Sequence, residues 1–144
     1  MNTLAITISA PNAYGARLAI VRIDDRELLD IVRDVELPIA AKAGEAELAG
    51  KYGYLNIQDV INPSRQLLGE PIRPLLEYDG IVSILECECG CEGCWPLIAR
   101  VDVTETQVIW RDFQQVHRDN WKYPADFRFV FSRSQIETAI QFEA

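Results

Sequence analysis

At 144 residues, with 49% hydrophobic and 25% charged side chains, the chain has the size and composition of one globular domain, 1–144, with its own core. A net charge of −8 disfavours phosphate backbones as partners, and no stretch approaches the roughly 20 apolar residues of a membrane span. No basic residue precedes Arg17, which argues against a signal peptide and for a cytoplasmic chain with reduced thiols.

Leu4, Ile6 and Ile8 alternate with Thr3, Thr7 and Ser9, the period of a strand with one buried face. Pro11 to Gly15 is a turn cluster and Leu18 to Ile23 reads as a second strand, so the pair forms an antiparallel hairpin with a loop of about five residues. Asp24 is placed to cap a helix, with Glu27 at capping-box spacing, Leu28, Val32 and Val35 as the buried stripe, and Pro38 as the stop. Residues 24–36 carry six acids against two bases, the mark of a solvated helix face. Ala40 to Ala49 reads at most as a short helix weakened by Gly44 and Gly50, and Pro63, Pro71 and Pro74 break residues 60–75 into short pieces. Residues 37–80 are therefore expected to cover the sheet rather than to form it.

Ile81 to Leu85 is a near-continuous apolar run, as in a central strand. Leu97 to Val103 and Gln107 to Phe113 are two strands joined by a polar turn at Thr104-Glu105-Thr106, and Phe127, Phe129 and Phe131 mark another. Ser134 to Glu137 matches a capping box that opens a short C-terminal helix with Ile136 and Ile140 inward. The expected fold is α+β: a mostly antiparallel sheet, one helix after an N-terminal hairpin and a short C-terminal helix.

All four cysteines, Cys87, Cys89, Cys91 and Cys94, fall within eight residues. Thiolates are soft ligands for zinc, whose structural sites take four donors in a tetrahedron. Cys87 and Cys89 are two apart at a strand end and share a face, and Gly90 and Gly93 let the backbone curl around an ion. Four sulfurs from one short run make a tight cage, so Cys87, Cys89 and Cys94 with the single histidine, His117, form a cleaner set, with Cys91 as an alternative ligand. Reduced metal-free thiols and thiol–disulfide chemistry stand as alternatives, the latter opposed by Glu86, Glu88 and Glu92, which disfavour a thiolate. With closed coordination the ion is structural, pinning a loop to the sheet.

From Leu85 to Phe131 the chain resembles an uncharacterised family of small bacterial proteins. The resemblance lies in Cys87, Cys89, Gly90, Gly93, Cys94, Trp95, Pro96 and Leu97, then in Trp110, Phe113, His117, Arg118, Trp121, Tyr123, Phe127 and Phe129, with a similar helix start at Asp25 to Asp30. The family pattern is variable at the position of Cys91, which implies Cys87, Cys89, Cys94 and His117 as the working set. It has proline where this chain has Val116, and it carries no established activity.

Residues 110–134 hold five basic side chains (Arg111, Arg118, Lys122, Arg128, Arg133) against three acidic ones, within an otherwise acidic chain. Trp110, Arg111, Arg118, Trp121 and Tyr123 could stack on and pair with a ligand there, or simply cap a core edge. One histidine leaves little acid–base equipment at neutral pH, and Gly44 to Lys51 fails as a phosphate loop in spacing and in charge. The expectation is a non-enzymatic interaction or regulatory module, held by structural zinc and acting on a protein partner, basic if an inhibitor. The alternatives are a thiol redox or metal-dependent enzyme or sensor, and a ligand-binding module at the Trp–Arg segment.

Overall fold

Buried side chains alternate with exposed ones in Leu4–Ile8 (β1) and with half-buried ones in Ala19–Ile23 (β2), and the two pair antiparallel with Leu4 opposite Ile23 and Ile8 opposite Ala19. The computed structural model describes residues 1–141. The connection between these strands is longer than a five-residue turn. It runs from Ser9 to Leu18, and Asn12 Oδ1 gathers it by accepting from the Tyr14 and Ala16 N–H groups.

Asp24 does not cap the helix. Asp24 and Asp25 adopt φ of 51° and 68° and make a two-residue turn into Arg26–Glu27 (β3), with Ile23 opposite Arg26. Two consecutive positive φ angles give the turn whose twist suits a tight hairpin, and aspartate tolerates that region better than most residues. The Asp24 carboxylate accepts instead from Thr3 N and Asn2 Nδ2. Helix α1 therefore spans Leu28–Lys42, and the Tyr54 hydroxyl receives the N–H of Leu29 in its first turn. Pro38 lies inside α1 rather than ending it. It sits on the exposed face, and the next turn is held by Ala40, buried with Ala49 and Trp121.

The larger sheet contains Tyr52–Gly53 (β4), Glu77–Tyr78 (β5), Ile81–Cys87 (β6), Leu97–Val103 (β7), Gln107–Gln115 (β8) and Phe129–Ser132 (β9). Its order is β4-β6-β7-β8-β9, every pairing antiparallel, with β5 on the first residues of β6 and β4 on its last. Residues 37–80 thus do more than cover the sheet, since they supply β4 and β5. Asp79 and Gly80, with φ of 52° and 81°, form the two-residue turn that returns β5 into β6.

The small sheet β1-β2-β3 bridges the two edges of the large one. Asn2 N donates to Val130 O on the β9 side, while Ala19 N donates to Leu55 O just beyond β4. Trp110, fully buried, packs edge-on against Phe129 and Phe131 within the core so enclosed. Helix α2, Arg133–Ala139, follows β9 without a loop. Ser132, not Ser134, caps it by accepting from Gln135 N, and Ile136 and Ile140 are buried. Among the described residues no helix is long and apolar enough to cross a membrane.

Candidate metal centre

Strand β6 runs buried from Ile81 to Glu86 and surfaces at Cys87, where the β6–β7 loop begins. The loop turns at once: Gly90 N donates to Cys87 O and the Cys89 N–H points at Cys87 Sγ, 3.5 Å away. Gly90 and Gly93 take φ of 83° and 79°, so each reversal falls on a residue without a Cβ. Three further contacts hold the loop. The buried Glu86 carboxylate accepts from Gly93 N at 2.9 Å and from the Ser83 hydroxyl. Glu92 pairs with Arg73, whose guanidinium also grips the buried Asp59 at 2.7 Å through two bonds. His117 Nε2 donates to Gly93 O at 2.9 Å.

These restraints bring Cys87, Cys89 and Cys94 together, with their sulfurs all within 4.8 Å of one another. Two thiolates bound to one tetrahedral zinc at about 2.3 Å each stand roughly 3.8 Å apart, so sulfurs that lie within 4.8 Å of one another are near the spacing an ion needs. The thiols are electrostatically linked. Cys89 is exposed and its pKa is lowered to about 7, chiefly by its hydrogen bond with Cys87. The Cys87 thiol is pushed up to about 12, by burial first and then by Cys89. Cys91 is raised in turn by Cys89. A bound cation would relieve this mutual opposition and let the sulfurs ionise together.

Two of the expected ligands stand apart. His117 lies outside the sulfur trio, since its Nε2 is engaged by Gly93 O and its ring stacks on Trp95, with centroids 6.1 Å apart. Cys91 is exposed and also outside the trio, beside Cys89. The expected set of four is thus reduced to three sulfurs.

The expected Trp–Arg surface dissolves into separate environments. Trp110 is fully buried in the core, and its Nε1 donates to Leu67 O at 3.0 Å. Trp121 is buried against Ala40 and Ala49. The Tyr123 hydroxyl donates to Glu36. Arg111 is held by Asp102 and Asp112, whereas Arg118 binds Glu45 at 2.8 Å and lies 5.0 Å over the Trp95 ring. Three of the five residues are thus committed to packing or buried bonding, and the two arginines to ion pairs.

Two features escaped the sequence reading. The first is a cleft of about 430 Å³ between the β1–β2 connection, the segment after β4 and the cysteine loop. Cys87, Cys89 and Cys91 line it, while Cys94 and His117 are not among its lining residues. The second is a buried carboxylate. Glu36 is fully buried and accepts from Tyr52 OH at 2.5 Å, Gly50 N at 2.9 Å and Tyr123 OH. Burial pushes its pKa up, against the pull of those donors. A signal for it existed: Glu36 continues the four-residue spacing of Leu28 and Val32.

Comparisons with protein-family models, with curated proteins and with solved structures find no match to this chain.

Proposed function

We propose that this chain is a metal-dependent interaction module of a reducing compartment, in which Cys87, Cys89 and Cys94 hold one zinc ion. The observation that carries the proposal is the convergence of three sulfurs within 4.8 Å. Soft thiolates select zinc or copper(I) among the common ions, and zinc adds no redox chemistry of its own. The ion adds to the polar contacts of Glu86, Glu92 and His117 that hold the β6–β7 loop, which carries no buried apolar side chain between Glu88 and Cys94. The nearby carboxylates are paired, Glu86 with Gly93 and Ser83, Glu92 with Arg73, and the exposed Glu88 with Lys51 at 3.7 Å, which favours binding over catalysis at the ion. A net charge of −8 suits a basic protein partner.

The test is elemental analysis with thiol titration on protein purified without added metal. One zinc per chain, with thiols that react fully only after chelation, is the expected result. Four freely reactive thiols without metal would overturn the proposal, and a disulfide formed under mild oxidant would replace it with a thiol-redox role.

A further inference from the structure

We infer that the cleft beside the cysteine loop is a binding site for a small aminothiol, whose sulfur completes the coordination of the ion; this rests on the metal reading proposed above. Three thiolates fill three positions of a tetrahedral ion and leave the fourth open, as in sites that accept an outside ligand. Cys87 and Cys89 line the cleft and Cys94 does not, so an ion held among them has one side toward the cleft. His117 is engaged by Gly93 O and Trp95 and does not line the cleft. The internal competitor for the fourth position is Cys91, which lines the cleft beside Cys89.

The cleft also has the size and the lining of a small-ligand site. Its volume of about 430 Å³ falls in the range of roughly 300–1,000 Å³ usual for such pockets. Leu18, Tyr54, Leu55 and Leu76 supply an apolar wall. Asp59, Glu86, Glu88 and Glu92 supply carboxylates, and among the described residues no lysine or arginine lines the cleft. Arg73 offsets part of this charge through Asp59 and Glu92, and Lys51 offsets part through Glu88. The remaining field favours a cation over an anion at the far end of a ligand. The incoming thiol binds as thiolate and releases its proton to solvent, with no change of oxidation state.

Cobalt(II) in place of zinc makes the site visible, because its absorption reports the number of ligands and the number that are sulfur. The probes are cysteamine and 3-mercaptopropionate, which carry the same thiol and opposite charges, added to cobalt-loaded protein with the metal-deficient Cys89→Ser variant as background. Cysteamine is expected to strengthen the sulfur-to-cobalt absorption and to half-saturate at a concentration about tenfold below that of 3-mercaptopropionate, ~1.4 kcal/mol in its favour. Cys91→Ser should retain cobalt and bind cysteamine more tightly, and His117→Ala should match the wild type. No response to cysteamine, equal half-saturation by the two probes, or a cobalt spectrum that changes on His117→Ala alone would overturn the inference and leave the metal reading standing. A wild-type protein that takes up no cobalt would overturn both.

Discussion

Tyr52 stands opposite Cys87 in the β4–β6 ladder, and its hydroxyl donates to the buried Glu36 carboxylate at 2.5 Å. One two-residue strand therefore connects the first of the clustered cysteines to helix α1. Gln115 at the end of β8 joins the same assembly, its Nε2 donating to the Tyr52 oxygen and to Pro96 O at 3.1 Å each. Both ends of the cysteine loop, Cys87 and Pro96, are thus tied to one buried polar network.

Glu36 should make stability fall as pH rises. Burial raises its pKa above the ordinary value of 4.5, so the folded chain holds that proton more tightly than the unfolded chain. Its contribution is complete below pH 4.5 and is lost as pH rises from there through the raised folded value. Glu36→Gln removes this dependence, and urea midpoints measured across that range should show the wild type losing ground to the variant. A wild type that gains on Glu36→Gln instead would mean that the tyrosine hydroxyls outweigh burial. Glu36→Ala should cost about 3 kcal/mol below pH 4.5, because the donors of Tyr52, Tyr123 and Gly50 lose their acceptor, and less as pH rises.

Gly50 should tolerate no side chain. Its φ is +69°, and a Cβ there would lie 2.5 Å from the Arg33 Cβ on α1. Gly50→Ala is expected to destabilise by about 3 kcal/mol, through both the left-handed backbone and the overlap. Gly44, with φ +75° and nothing within 4 Å of its own added Cβ, is the control. Gly44→Ala should cost only about 1 kcal/mol, the backbone part alone. Equal losses in thermal unfolding would show that the approach to Arg33 is not limiting.

Trp110 should matter to folding and not to the metal. Trp110→Phe removes the bond to Leu67 O and leaves a void beside Phe129 and Phe131, at about 2 kcal/mol. Metal content per folded chain should not change. A variant of normal stability that has lost its metal would place the indole's role at the site after all.

Cys94→Ser should separate the loop from the fold. A metal that binds only the folded chain stabilises by about 2.7 kcal/mol when present at 100 times its Kd. Chelator should therefore lower the melting midpoint of the wild type and leave Cys94→Ser unmoved, with both giving the same circular dichroism. The main core cluster contains no residue from Glu88 to Cys94, so the variant should still fold. Global unfolding of Cys94→Ser would show the loop to be part of the folding core.

Much of the sheet was legible because its strands are locally consistent. Ile81 to Leu85, short, apolar and rich in β-branched residues, is buried along β6, and the polar residues at 104–106 lie just where β7 returns into β8. The start of α1 was misread because Asp24 and Asp25 suit a helix cap and a two-residue turn equally well, and strand pairing of Ile23 with Arg26 chose the turn. The same ambiguity misplaced the second cap, since Ser132 and Ser134 differ only in where β9 stops. Glu36 was counted with a solvated acid excess, because its hydrogen-bonding partners lie 14, 16 and 87 residues away.

The sequence by itself determined the α+β class, the antiparallel hairpins and the crowding of four thiols into one loop, because each follows from side chains within a few residues of one another. Tertiary structure alone decided which sulfurs meet, that His117 turns to Gly93 O, that Trp110 is core, and that a cleft opens beside Cys87, Cys89 and Cys91. Those outcomes depend on strand register and on contacts between distant segments. Direction and distance in space are set there, and spacing along the chain does not encode them.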